Sequence, residues 1–118
     1  MTGKKIVFGE IVLPPTGLPS NAASVVVRVE DISRADAPAI VVGEQRQDAV
    51  RLHPSATLPF RVEVPTEQLN ERALYSVSAH IDTSGSGRVD RGDLVSTETY
   101  PVLTRGYGTE VRVRVKPV

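Results

Sequence analysis

The sequence predicts an all-β fold, a seven-stranded antiparallel β-sandwich of immunoglobulin-like layout, on three observations. Nineteen of the 118 residues are Val and nine are Thr, branched side chains that suit a pleated sheet. Several runs alternate apolar and polar residues with period two, as a strand with one buried and one wet face must. Turn signals such as Pro14-Pro15-Thr16-Gly17, Ala37-Pro38, His53-Pro54-Ser55 and Gly106-Tyr107-Gly108 separate these runs at sandwich-like spacing.

Taken in order, the first strand covers 5–13 and aligns Val7, Gly9, Ile11 and Leu13 on one face. The second covers 24–30, with Val25, Val27 and Val29 pointing one way and Val26, Arg28 and Glu30 the other. Alternation fails at Asp31-Ile32, which predicts a turn whose amides are satisfied by Asp31, Ser33 and Asp36 and in which Arg34 bridges to a carboxylate. The same segment, with Arg34 and Asp36 at its tip, also reads as a recognition loop at one end of the sandwich. The third strand covers 39–44, and the fourth covers 58–64 with Leu58, Phe60, Val62 and Val64 aligned. A short helical turn over 65–70, capped by Thr66, leads to the fifth strand, 74–81, which aligns Tyr75, Val77, Ala79 and Ile81. The sixth covers 94–100. The seventh, 111–116, alternates Val111, Val113 and Val115 with Arg112, Arg114 and Lys116, a basic outer row that blunts an edge strand. There is neither Cys nor Trp, so the immunoglobulin likeness is one of layout. No internal repeat, low-complexity tract or linker divides the chain, which reads as one domain over 1–118.

Composition bounds the function. Lys and Arg number 14 against 14 Asp and Glu, a balance that argues against a nucleic-acid partner. The absence of Cys excludes a thiol nucleophile, a Cys-ligated metal and a disulfide framework. No segment reaches the roughly 20 apolar residues of a membrane helix. The N-terminal residues Met1-Thr2-Gly3-Lys4-Lys5-Ile6 lack the apolar run of an export signal, so the chain as written reads as cytoplasmic, or as envelope or periplasmic if a signal was trimmed. The catalytic supply is poor. His53 precedes Pro54 in a turn and His80 lies on the outer face of its strand, and neither belongs to a Ser-His-Asp or His-x-x-x-His pattern. Glu30 and Asp31 are adjacent and so point to opposite faces. No catalytic residue is expected, and the chain reads as non-enzymatic.

The segment 82–93 is the most informative. Counted from Asp82, oxygen-bearing side chains stand at positions 1, 3, 5, 9 and 12, with Gly87 at 6 and Val89 at 8, which resembles an EF-hand-type calcium loop. Calcium takes six to eight oxygens, so the loop must fold back on itself, and the glycine permits the turn. The candidate ligands are Asp82, Ser84, Ser86, Asp90 and Asp93, with Arg88 offering its carbonyl. Serines at two ligand positions and a short Asp at the last predict weak binding, about 0.1 to 1 mM or poorer. The competing reading is a solvated hairpin whose Gly and Asp residues serve the turn.

Gly9-Glu10-Ile11 with Leu13-Pro14-Pro15, the stretch from Val29-Glu30-Asp31-Ile32-Ser33-Arg34 to Ala37-Pro38, then Leu58-Pro59-Phe60, Tyr75-Ser76-Val77 and Tyr100-Pro101-Val102-Leu103-Thr104 come in an order that resembles the YbaY/YscW group of bacterial lipoproteins. The likeness spans nearly the whole chain and is most specific over 30–38 and 100–104. It implies a small β-sandwich of the Gram-negative envelope. For the YscW members it implies a pilotin, a small chaperone that binds a secretin's tail and helps place it in the outer membrane. The lipidation Cys of that group has no counterpart here.

Two functions follow as expectations. The first is a binding or chaperone-like module that holds an extended protein segment or peptide by sheet edges and end loops, with Arg112, Arg114 and Lys116 as a docking face for acidic chains. The alternative is a structural domain with a weak calcium loop at 82–93.

Overall fold

Eight strands form among residues 3–118, which are the residues that the computed structural model describes. Met1 and Thr2, which open the N-terminal segment discussed above, lie outside them. The strands are β1 (Lys4–Val12), β2 (Asn21–Asp31), β3 (Ile40–Arg51), β4 (Thr57–Pro65), β5 (Tyr75–Asp82), β6 (Leu94–Ser96), β7 (Pro101–Val102) and β8 (Glu110–Pro117). The described residues hold no helix long and apolar enough to cross a membrane.

Alternation fixed the faces correctly. Val7, Ile11 and Leu13, then Val25, Val27 and Val29, then Phe60, Val62 and Val64, then Tyr75, Val77, Ala79 and Ile81, and finally Val113 and Val115 all close on one apolar core with Leu94 and Val102. Each Val, Leu, Ile and Phe among them contributes roughly 1.5 to 3 kcal/mol by leaving water. Their neighbours Arg28, Arg61, Glu63, Arg112 and Arg114 stay exposed.

Neighbour order departs from the expected antiparallel sandwich. The strands follow one path, β3-β2-β5-β6-β8-β1-β4, with β7 beside β5. Strand β8 is shared: residues 110–114 run parallel to β1, and 115–117 pair antiparallel with β6. The sheet is thereby mixed and nearly closed on itself, barrel-like rather than two separate antiparallel layers. The period-two pattern specifies which side of a strand is wet and carries no information about which strand lies beside it, so the parallel pair was invisible to it. Gly9 makes that pair possible, because a Cβ there would lie 1.8 Å from the Val111 carbonyl oxygen.

Three further expectations are corrected. The basic strand β8 is interior, flanked by β1 and β6, and the true edges are β3 and β4. The predicted strand 94–100 shrinks to β6, with β7 following beyond its predicted end; around the gap side chains supplement the ladder, since Ala79 N–H donates to Ser96 Oγ and Tyr100 N–H to Ser76 Oγ, each at 2.9 Å, while Val77 N–H still reaches the Tyr100 carbonyl at 3.0 Å. Thr66 starts a 3-10 turn, Thr66–Gln68, and makes no cap; its hydroxyl and its N–H both donate to the Gly3 carbonyl, tying the start of β1 to the end of β4.

Strand β3 runs seven residues beyond the predicted end at Glu44. Its inner face explains the miss. Gly43, Gln45 and Gln47 are the partners of Val29, Val27 and Val25, so they occupy core-facing positions with no apolar side chain, while Glu44, Arg46 and Asp48 face water. A run with polar residues on both faces has no hydrophobic alternation to read.

Candidate functional site

Two regions gather the chemistry of this chain: the loop joining β5 to β6, and the facing edges of β3 and β4.

The loop joining β5 to β6 is organised by two buried carboxylates. Asp82, the last residue of β5, accepts N–H bonds from Gly85 and Gly87, each at 2.9 Å, on its two oxygens. Asp93 accepts from Thr83 N–H at 2.9 Å and Thr83 Oγ1 at 2.8 Å on one oxygen, and from Asp90 N–H at 3.0 Å and His80 Nε2 at 2.8 Å on the other. Burial on its own would raise the Asp93 carboxyl pKa; the Asp90 N–H, the His80 ring and both Thr83 donors outweigh it and hold that carboxyl well below the usual carboxylate range. At Asp82 burial likewise acts upward, and the Gly87 and Gly85 N–H groups bring the carboxyl down.

Of the sequence-predicted calcium ligands the loop brings five together. Ser84 Oγ lies 3.5 Å from Asp82 Oδ1 and 3.3 Å from Asp90 Oδ2, and Ser86 Oγ bonds both Asp90 Oδ2 and the Arg88 carbonyl. The sixth, Asp93, spends its oxygens on His80, Thr83 and the Asp90 N–H, although one of them lies within 4.8 Å of an Asp82 oxygen. His80 and Asp93 stand 13 positions apart with no motif that links the two, and it is the hairpin that joins them. Together with Asp82 they form the one cluster of three metal-capable groups among the described residues.

The other predicted residues disperse. Asp31 makes the expected turn, accepting Ser33 N–H at 2.9 Å and Ser33 Oγ at 2.6 Å, and Ser33 Oγ accepts Leu74 N–H from across the corner. The Ser33 hydroxyl and N–H lower the Asp31 carboxyl pKa. Arg34 and Asp36 are exposed beyond this turn, beside a shallow depression lined by Ala37, Pro38 and Ile40. Arg112, Arg114 and Lys116 form a solvent-facing row; Arg112 approaches Glu10 at 3.7 Å, and no carboxylate among the described residues pairs with Arg114 or Lys116.

The edges of β3 and β4 form a feature that sequence reasoning missed. Gln47 Nε2 donates to the Pro59 carbonyl at 3.1 Å, and Arg61 N–H donates to Gln45 Oε1 at 2.9 Å. Two side-chain amides thus occupy places that a neighbouring strand's backbone would take. At the other end of the seam a Cβ on Gly43 would lie 2.7 Å from the Glu63 carbonyl oxygen, so the two edges touch there, whereas at Gln45 and Gln47 side-chain amides span them. The one available signal was two Gln residues two apart, and its meaning needs the register.

The family model described as type III secretion system lipoprotein chaperone (YscW) matches residues 3–115. Among solved structures, an alternative pilotin from the type II secretion system of Vibrio cholerae is 26% identical, with a TM-score of 0.80 over 98% of each chain. No curated protein matches.

Proposed function

The chain belongs to the YscW family of type III secretion system lipoprotein chaperones, and from that premise we propose that it is a pilotin-like, non-enzymatic chaperone of the bacterial envelope that holds a segment of a secretion-system protein. The observation that carries this reading is the fit of the whole chain: the family match spans 3–115, and a pilotin shares the fold over nearly its full length. The natural ligand class is an extended or tail segment of a secretin, because a strand-rich domain captures such a segment through backbone bonds and surface side chains without any catalytic group.

Calorimetric titration with the C-terminal tails of the secretins encoded by the same organism tests this. The expected result is saturable 1:1 binding with a dissociation constant of about 10 micromolar or tighter. No heat with any tail, and none detected by a second method, overturns it.

A second reading is favoured by the convergence of Asp82, Ser84, Ser86, the Arg88 carbonyl and Asp90: a calcium-ordered loop using these oxygens, with Asp93 outside the set. Both oxygens of Asp82 already accept N–H groups, which puts the affinity at the weak end, about 1 mM or poorer. Melting curves with calcium up to about 10 mM and magnesium as control test it, since ligand at 100 times its dissociation constant would add roughly 2.7 kcal/mol. A calcium-specific rise, absent in Asp90→Ala, supports the loop; equal curves with both ions sink it.

A further inference from the structure

We infer that the β3/β4 seam is a strand-docking site: an extended, uncharged polypeptide segment adds along the free edge of β4, and Gln45 and Gln47 hold its place when it is absent. The inference rests on the chaperone reading and says where the segment sits.

Three observations carry it. First, the β4 edge presents the Pro59 carbonyl and the Arg61 N–H, and both are bonded by primary amides, which have the donor and acceptor chemistry of a peptide group. An incoming backbone would restore the same two bonds, so the Gln amides can leave without stranding a polar group. Second, Gln45 and Gln47 stand at core-facing positions opposite Val27 and Val25, where apolar side chains would bury more surface, so the fold forgoes packing to keep amides at this edge. Third, the charges beside the seam are already paired: Arg61 with Glu63 at 3.4 Å, Lys4 with Glu63 at 3.1 Å, Arg46 with Asp48 at 2.9 Å and Arg28 with Glu44 at 3.2 Å. Lys4 and Arg61 share the one Glu63 carboxylate, and each of the four cations has a counter-charge within 3.4 Å, so the seam recognises an uncharged segment by its backbone. Because the edges touch at Gly43, entry is from the end bridged by side chains, near Gln47 and Pro59.

The experiment selects linear 12-residue peptides from a random displayed library against the wild-type protein and maps each one by amide chemical shifts. The seam predicts shifts at the Arg61 backbone amide and at the side-chain amides of Gln45 and Gln47. It also predicts affinity that is unchanged in 0.5 M salt and lost about tenfold or more when alternate peptide nitrogens are methylated. Gln45→Ala with Gln47→Ala removes the competitors and tightens binding several-fold. Arg61→Pro, a change at an edge position whose N–H meets no other strand, weakens binding at least tenfold while its melting curve certifies folding. Peptides that instead shift Arg112, Arg114 and Lys116 and dissociate in salt overturn the seam and leave the chaperone reading standing. Self-association of the wild-type chain that shifts the same seam amides makes a second copy the occupant and overturns the peptide assignment. A library that yields no binder, with the secretin tails also silent, overturns both.

Discussion

The loop joining β5 to β6 and the seam between β3 and β4 solve one problem in opposite ways. Both leave polar groups where the ladder of backbone hydrogen bonds stops. In the loop, two buried carboxylates draw in the N–H groups of residues 83, 85, 87 and 90, so every bond is made within one hairpin and no group outside it can replace a partner. At the seam, the edge is satisfied by two half-buried amides from a strand held on one side only. The first arrangement closes a structure and the second leaves one openable. Chemistry that attracts attention in the sequence, acidic residues at ligand spacing, is spent on bonds inside the hairpin, and two inconspicuous glutamines mark the edge where we infer that a segment docks.

The contrast is broken most severely by Asp93→Ala. It strands the Thr83 and Asp90 N–H groups and the His80 ring in a partly buried position, and a loss of about 2 to 4 kcal/mol is expected in urea unfolding. Opening the seam by force comes next. Gly43→Ala puts a methyl against the Glu63 carbonyl and the Val62 and Val64 side chains, and a loss of about 1 to 3 kcal/mol follows from overpacking, with faster exchange at the Arg61 amide. A third test is acid. The Asp82 and Asp93 carboxyls are depressed in the folded state, so their contribution is full above the unfolded value near about 3.9 and is lost as pH falls toward the folded one. The melting temperature should thus fall below about pH 4, and in Asp93→Asn it should start lower and fall less. The smallest effect belongs to Gln45→Ala with Gln47→Ala: under about 1 kcal/mol in unfolding, because the freed edge groups meet water, yet a clear acceleration of Arg61 amide exchange.

What could be read from the sequence divides along the same line. Strands with valines on the inner face, at 24–30, 58–64 and 111–116, were legible because burial and alternation coincide there. Residues 45–51 were not, since Gln45 and Gln47 face inward and charges face outward. The parallel β1–β8 pair was hidden because alternation assigns faces and not neighbours, although Gly9 is the residue that allows it. In the loop, spacing alone located the oxygens of Asp82, Ser84, Ser86 and Asp90. It carried no sign of His80, the partner that β5 supplies to Asp93 across the hairpin. The family resemblance over 100–104 has a structural counterpart: Tyr100 Oη accepts the Arg114 N–H at 2.9 Å and Thr104 Oγ1 donates to the Ala73 carbonyl at 2.6 Å, both bridging breaks in the ladder.

The measurement that tests this account most directly is native-state amide hydrogen exchange on the unmodified protein, comparing Thr83 and Asp90 with Arg61. If the loop is closed and the seam openable, the Thr83 and Asp90 amides exchange only through large-scale unfolding, and Arg61 exchanges through a local opening at least a hundredfold faster, a difference of about 2.7 kcal/mol or more. Equal protection at all three would mean that the Gln amides lock the edge as firmly as a strand would, and the seam would be a closed wall of the fold.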